Sequence, residues 1–312
     1  MSIVNNAHPG SQLDVVILID DFLSHLHKQK HQTIKVDEVI QQLRPDGLAM
    51  LASDNAKKKL AENLNFWLEQ GLWPSQQQDG QQLIQIAEVM WSQPFVQRLN
   101  RVIIEIALQR SSTEIIEYNN VEPLIYGLAR LLHRDQYTIL GGDYIDHAGT
   151  DKNSGQVINQ GLTQKRAFNE SNELSPILYW LRFLGFLEVV SHRPKDDRYV
   201  IDITRAIRPY LQSSLTSTPQ PIGEWLTQLA KTFPFVRGAE LMAWVGADLR
   251  AEGWQSEDPS YLDAVLAQSL LRLEAEGCLK LIQRSDDDQA KKIRLPDHIR
   301  PISMIAWKAD PK

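Results

Sequence analysis

Three glycines, Gly71, Gly185 and Gly277, constrain the fold more than any other feature of the sequence. Around each of them, apolar residues recur seven and four positions before the glycine and two positions after it. The matched residues are Leu64, Trp67 and Trp73, then Leu178, Leu181 and Leu187, then Leu270, Leu273 and Leu279. The spacing before the glycine is that of one helical face, and glycine commonly ends a helix.

Each copy continues through a polar segment into a second run typical of a strand, at residues 83–86, 199–203 and 293–295. A helix, a glycine and a two-stranded hairpin make the second half of a winged helix. The glycines are 114 and 92 residues apart, which is too far for a solenoid, whose repeats span about 20 to 50 residues. The predicted fold class is therefore mainly α with small β-hairpins (α+β), built from three tandem winged helix-turn-helix modules joined by helices.

The predicted boundaries follow from this repeat and from the composition between the copies. They are module one at 1–94, a helical connector at 95–140, module two at 141–211, a linker at 212–221 and module three at 222–312. Three local features are also predicted. Asp37 caps the helix at 38–43, Ser175 and Pro176 open a helix of module two, and the third hairpin turns at residues 284–292.

Composition limits the class of protein. The net charge of −6 argues against a chain that coats nucleic acid through its overall field, although residues 96–218 carry 14 basic and 14 acidic side chains. A single cysteine, Cys278, excludes a disulfide framework and favours a reducing compartment. The apolar run from Val15 to Ile19 is flanked by acids and predicts neither a signal peptide nor a membrane span. A cytoplasmic protein is expected.

In module one, three lysines stand in the first turns of the third helix, where they could meet a phosphate backbone. They are Lys57, Lys58 and Lys59. Farther along the same helix the exposed stripe is Glu62, Asn65 and Glu69, and the hairpin tip carries Asp79. The alternative interpretation is a solvated helix face.

Module two is the stronger candidate for DNA, because in a winged helix the third helix enters the major groove and the wing contacts phosphates. The predicted nucleic-acid-binding residues are Lys165, Arg166, Tyr179, Arg182, Arg193, Lys195 and Arg198. The alternative is that Asp196 and Asp197 pair with the wing cations and that Tyr179 packs in the core.

Module three has a different charge pattern. Its third helix is predicted to expose Asp263, Glu274 and Glu276, and Asp286 begins a run of three aspartates in the wing. Because these negatively charged side chains would repel phosphate, this module is predicted to contact protein.

No arrangement of residues typical of an enzyme stands out, so a non-enzymatic protein without cofactor or metal is expected. The remaining candidate for chemistry is Asp143, Asp146 and His147, whose oxygen and nitrogen atoms could bind a divalent cation in a nuclease. Such a nuclease would lose its cleavage activity in the presence of a chelator.

Two segments resemble a known family. The segment Met1-Ser-Ile-Val-Asn5 and the segment Trp67-Leu-Glu-Gln-Gly-Leu-Trp73 are similar to the G component of the 7-deazapurine-in-DNA (Dpd) clusters, over about the first 90 residues. The resemblance implies an antiviral, DNA-processing context and supplies no catalytic residues.

The expected function is that of a DNA-binding and adaptor subunit in a bacterial protein complex. Module two, aided by module one, contacts double-stranded DNA, and module three recruits a larger partner such as an ATPase, helicase or nuclease. The competing hypothesis is a protein–protein scaffold without direct DNA contact, which the net acidity favours. The DNA sequence preferred, the partner's identity and the oligomeric state, including a homodimer, stay open.

Overall fold

The computed structural model describes most of the chain in two compact units, residues 1–106 and residues 107–312. The described residues are 3–4, 12–45, 55–87, 89–116, 122–133, 139–141, 173–191, 198–251, 253, 258–284, 287 and 290–308.

The first unit is a set of helices with one antiparallel sheet. Its elements are α1 (Leu13–Lys28), β1 (Thr33–Lys35), α2 (Val36–Leu43), α3 (Asn55–Glu69), β2 (Ser75–Gln78), β3 (Gln81–Gln85), a 3-10 turn (Val89–Ser92) and the start of α4 (Phe95–Gln109). The strands lie in the order β1-β3-β2. Asp79 and Gly80 connect β2 to β3 with φ angles of 51° and 74°. Two successive positive φ angles are those of the tight hairpin turn that Asp-Gly favours.

The second unit contains the remaining elements. They are α5 (Ser112–Ile116), α6 (Pro123–Leu132), β4 (Ile139–Gly141), α7 (Leu174–Leu184), β5 (Leu187–Ser191), β6 (Arg198–Ile201), α8 (Thr204–Ser214), β7 (Gln220–Pro221), α9 (Ile222–Thr232), α10 (Glu240–Ala251), α11 (Ala264–Ala275), β8 (Leu279–Ile282), β9 (Lys291–Arg294), β10 (Ile299–Ile302) and β11 (Met304–Trp307). Its sheets have the orders β4-β6-β5, β7-β11-β8 and β10-β9.

The three-stranded sheets share one topology. In each, an early strand pairs antiparallel with the last strand, and the last strand lies between the other two. The middle strands are β3, β6 and β11, and the helix that precedes each hairpin or its equivalent is α3, α7 or α11. In each copy the first strand precedes this helix and the other two strands follow it, so the three copies share one order of elements.

The prediction that Gly71, Gly185 and Gly277 end equivalent helices is confirmed. Their φ angles are 75°, 85° and 80°, a left-handed conformation that glycine adopts without the Cβ strain of other residues. After each helix the glycine N–H bonds to the carbonyl three residues back, and the next N–H bonds five residues back. This pair of bonds is the Schellman motif. The apolar residues at the three shared offsets are all buried.

The prediction of a third hairpin turning at residues 284–292 is wrong. Strand β8 pairs with β11, whereas β9 pairs with β10. The physical reason is burial: β11 brings Met304, Ile305 and Ala306 into the core beside β8, whereas β9 offers only Ile293. Pairing β8 with β11 therefore removes more apolar surface from water.

Two helix starts also differ from the predicted ones. The second helix begins at Val36 rather than after Asp37, and Asp37 lies in its first turn, where a negative charge still favours the helix dipole. Helix α7 begins at Leu174, with Glu173 at the N-cap, so Pro176 is its third residue. Proline is tolerated there because the N–H groups of the first turn have no partner within the helix.

The predicted linker at 212–221 contains regular structure at both ends. Helix α8 continues to Ser214, and β7 (Gln220–Pro221) pairs with β11. Trp225 Nε1 donates a hydrogen bond to Ser214 Oγ at 3.3 Å, and Leu215 is buried. These contacts attach the segment to the second unit.

Candidate nucleic-acid interface

The three lysines of the first unit lie at the start of α3, as their spacing predicts. Lys58 and Lys59 are exposed and Lys57 is half-buried. Lys58 Nζ lies 3.8 Å from Glu62 Oε1, and the Lys58 side chain is 74% exposed, so this pair leaves the cation accessible. The partial positive charge of a helix start adds to the field of the lysines. The arrangement can contact a phosphate.

A shallow groove beside these lysines is formed by α2 and α3. It is lined by Asp37, Ile40, Gln41, Asn55, Lys57, Lys58 and Ala61. The rest of the solvent face of α3 is acidic or neutral, since Asn65 and Glu69 are exposed and Glu62 is half-buried. A polyanion is therefore favoured only near the start of this helix.

Three of the seven residues proposed for module two are described. Tyr179 and Arg182 lie three residues apart on α7 and so share a helical face; Tyr179 is 43% exposed and Arg182 is half-buried. Arg198 is half-buried at the first residue of β6. The other four, Lys165, Arg166, Arg193 and Lys195, lie outside the described residues.

Arg205 is a residue of this region that sequence reasoning missed. Its Nε donates to Glu188 Oε1 at 2.7 Å, and its Nη2 donates to the carbonyl of Arg182 at 2.9 Å. Glu188 stands on β5, where an unpaired carboxylate would repel phosphate. Because Arg205 neutralises it, the repulsion from Glu188 is smaller than the sequence implies. No local pattern connects two residues 17 positions apart on different elements.

The three acidic residues predicted to be exposed on the third helix of module three each form an ion pair, and two of them are less exposed than predicted. Asp263 and Glu274 are half-buried, and only Glu276 is exposed. Asp263 Oδ1 lies 2.8 Å from Arg237 Nε, Glu274 Oε2 lies 2.6 Å from Arg300 Nη1, and Glu276 pairs with Arg208 and Arg272. The prediction that all three carboxylates face solvent is wrong because arginines that are remote in sequence fold against them.

Burial and these partners shift the pKa values in opposite directions. Burial raises the pKa of Asp263 even though the Arg237 guanidinium lowers it. For Glu274, burial alone would raise the pKa, but the hydrogen bonds from Arg300 and from the Leu281 N–H outweigh it and bring the pKa below its usual value. At neutral pH Glu274 is thus a partner of Arg300 rather than a free surface charge.

A groove of about 720 Å³ in the second unit is the other concave surface of interest. Helices α9 and α10 contribute Leu226, Leu241 and Trp244 to its apolar lining, and Lys231 and Arg237 add positive charge. Mixed apolar and charged walls of this kind are typical of surfaces that bind a protein segment.

The alternative prediction of a metal-dependent nuclease depends on Asp143, Asp146 and His147. These three residues lie outside the described residues. In the part of the chain that the structure describes, no group of three or more His, Cys, Asp or Glu side chains is placed to hold a metal ion. No described helix combines the length and the apolar composition needed to cross a membrane.

The geometry defines an α+β protein in which each of three sheets of one topology takes its first strand from before a glycine-ended helix and its other two strands from after it. The chain belongs to the DpdG-like family, whose model matches residues 1–287. The resemblance to the G component of the Dpd clusters is thus confirmed over most of the chain, and membership suggests a role in a Dpd defence cluster. No curated protein and no solved structure matches the chain.

Proposed function

We propose that this protein is a non-enzymatic DNA-binding and adaptor subunit of an anti-phage, DNA-processing complex. In this proposal the three copies are winged-helix modules at 1–94, 141–211 and 222–312. The observation that carries it is the shared strand order, in which the last strand lies between the other two after each Schellman-ended helix. A winged helix uses the helix before the hairpin as its recognition helix.

Module two is proposed to contact duplex DNA because its equivalent helix, α7, carries an exposed aromatic residue one step from an arginine. Tyr179 and Arg182 share one face of α7, and Arg198 begins the second strand of the hairpin. Lys165, Arg166, Arg193 and Lys195 belong to the same proposed surface on sequence grounds. Phosphate contacts of this kind position a protein on DNA and supply most of its non-specific affinity.

Module one is proposed to assist through Lys57, Lys58 and Lys59, which stand at the start of the equivalent helix α3. Module three is proposed to recruit a protein through the groove between α9 and α10. A family whose role lies in a multi-protein defence cluster supports an adaptor of this kind. An ATPase, helicase or nuclease of the complex is the proposed partner.

The test is a salt titration of binding to a short generic DNA duplex. Replacing Arg182, Arg193, Lys195 and Arg198 together with Ala should weaken binding and lower the slope of log K against log salt by about 0.9 for each phosphate that the variant no longer binds. A control variant with Lys28, Lys231, Lys280 and Lys308 changed to Ala removes the same charge from other surfaces. Its affinity for the duplex should fall much less.

An unchanged slope in the first variant would remove module two from the proposed interface. The second candidate function, a scaffold without direct DNA contact, is favoured by the net charge of −6. A scaffold predicts no retardation of duplex DNA by the isolated protein at physiological salt, even where the protein assembles with its partner.

A further inference from the structure

The β9–β10 hairpin of the second unit presents a basic face. The sequence had predicted a different hairpin, which turns at residues 284–292. Lys292 pairs with Pro301 and Arg294 pairs with Ile299, so these four side chains share one face of the hairpin. Ile293 on the opposite face is buried at 1% exposure, so the face of Lys292 and Arg294 is the outer one. Lys292 and Arg294 are exposed, and Ile299 is 50% exposed.

The ring of Tyr261 holds both cations in place. Lys292 Nζ lies 5.7 Å and Arg294 Cζ 5.1 Å from the ring centroid. The backbone is held as well, because Lys292 N–H donates to the Ser260 carbonyl and its own carbonyl accepts from the Leu262 N–H. Cation–π contacts of this kind restrain side chains that would otherwise lose freedom on binding. Two cationic side chains thus leave one strand from backbone positions about 6.6 Å apart and are held by the same ring.

Two carboxylates of this region are paired with arginines. Asp263 pairs with Arg237 and Glu274 pairs with Arg300. Asp258 accepts a hydrogen bond from the Ser260 N–H at 2.8 Å. Among the described residues, neither Lys292 nor Arg294 takes part in an ion pair. Asp258 is close enough to Lys292 for their charges to attract, and Asp297 in the hairpin turn is hydrogen-bonded to His298. Lys292 and Arg294 are nevertheless exposed cations that can contact a phosphate.

The chemistry of the face suits a polyanion with regularly spaced charges. Two cations two residues apart on an extended strand can each bind a separate phosphate, and an arginine can bind one through two parallel hydrogen bonds. Tyr261 contacts both cations, and the proposal gives its ring no role in reading bases. The contact expected is therefore with the backbone and independent of sequence.

We propose that the β9–β10 hairpin is a second DNA contact, in which Lys292 and Arg294 bind phosphates of the duplex. This rests on the proposed function in one respect, since it assumes that the protein binds DNA, but it uses a different module and different residues. Module three then combines a phosphate contact on the hairpin with protein docking in the groove. An acidic protein segment is the competing occupant, and the test separates the two.

The experiment measures binding of the full chain to a generic duplex at several salt concentrations. The variant Lys292→Gln/Arg294→Gln should lower the slope of log K against log salt by about 2 and weaken binding by about 10- to 100-fold near 0.1 M salt. The matched control, Lys280→Gln/Lys308→Gln, removes two exposed lysines of the same module and should leave both quantities close to wild type. Thermal melting confirms that each variant is folded.

Tyr261 provides a second, independent variant. Tyr261→Phe keeps the ring and should bind as wild type does, whereas Tyr261→Leu should weaken binding several-fold with little change in slope. In Tyr261→Leu both phosphate contacts can still form, but no aromatic ring restrains the side chains of Lys292 and Arg294 in the unbound protein. Equal affinities of these two variants would contradict the preorganisation.

The outcomes separate this proposal from the function proposed above. An unchanged slope in the hairpin variant, together with a lower slope in the module-two variant, overturns the hairpin contact and leaves the proposed function standing. The reverse pattern supports the hairpin and removes module two. Absence of binding by the wild type overturns both. Binding of an acidic peptide, but not DNA, through Lys292 and Arg294 overturns the choice of partner.

Discussion

Asp20 and Arg98 form a buried ion pair in the first unit: Arg98 Nη2 lies 2.9 Å from Oδ1 and 2.8 Å from Oδ2 of Asp20. Trp73 Nε1 donates to the same carboxylate at 2.9 Å, and the Arg98 guanidinium carbon lies 4.7 Å from the ring centre of Trp91. The two charged side chains are 2% and 1% exposed. Helix α1, the segment between α3 and β2, and helix α4 are thereby joined at one polar centre inside an apolar core.

We expect Asp20→Ala to destabilise the first unit by about 3–5 kcal/mol, because it leaves a buried guanidinium without its counter-ion. Arg98→Met should also destabilise the unit, but the double variant Asp20→Ala/Arg98→Met should cost clearly less than the two single changes together. Urea denaturation of the four proteins gives the coupling energy. If the changes in the free energy of unfolding are additive, the two side chains stabilise the unit independently and their ion pair adds nothing.

Gly185 supports a second prediction, with Gly277 as its matched control. All three helix-ending glycines have positive φ, so Ala should cost each about 1–2 kcal/mol through backbone strain. At Gly185 alone, a Cβ would lie 2.8 Å from Arg205 Cβ and 3.1 Å from Ala206 N; at Gly71 and Gly277 it would meet no described atom within 4 Å. Gly185→Ala should therefore destabilise the second unit markedly more than Gly277→Ala. Similar denaturation midpoints for both would contradict this reasoning.

His133 supports a prediction about pH. Its ring lies beside Gly246, and Nε2 lies 3.3 Å from the Met242 carbonyl. Burial is the main cause that lowers the His133 pKa to about 4, with the charges of Arg237, Arg130 and Arg250 acting in the same direction. The unfolded chain therefore binds a proton more readily than the folded one between about pH 6.5 and pH 4.

Stability should thus fall as the pH decreases through this window, by up to about 3 kcal/mol from this residue. The contribution is fully present above about pH 6.5. In His133→Gln the free energy of unfolding should change less between pH 7 and pH 4 than in the wild type. His31→Gln, at an exposed position, is the control and should retain the wild-type profile.

The groove between α9 and α10 supports a prediction about the partner. Leu226→Arg places a charge on the apolar lining and should abolish co-purification with a co-expressed protein of the Dpd cluster, because an unpaired charge would be buried at the interface. The salt dependence of DNA binding should stay close to wild type. Gln228→Arg, exposed on the same helix and away from the groove lining, should preserve the complex. Loss of the complex in both variants would indicate a general effect of charge.

The parts of the fold that were predictable depend on residues close together in the chain. The ends of α3, α7 and α11 follow from glycine's access to positive φ, and the tight turn at Asp79 and Gly80 follows from the same preference. Strand pairing in the third copy was not predictable in this way. The runs at β8 and β9 are both typical of strands, and only the buried residues of β11 decide which of them joins the sheet.

The candidate surfaces divide in the same manner. Lys58 and Lys59 are accessible at the start of α3 as their spacing implied, since a helix position and its face follow from periodicity alone. The ion pairs of the acidic residues could not be predicted from periodicity. Arg205 reaches Glu188, and Arg300 reaches Glu274, across 17 and 26 residues of chain. A count of charges along a module cannot detect such partners.

By itself, the sequence determined the three glycine-ended helices, the α+β class and the relationship to the DpdG-like family, because each depends on short-range backbone preferences or on a residue pattern. The tertiary structure alone decided that β9 and β10 form their own hairpin and that Asp263 and Glu274 pair with arginines distant in sequence. These outcomes depend on which apolar surfaces can be buried together and on which charges then come within a few ångströms. Neither quantity exists until the chain has folded.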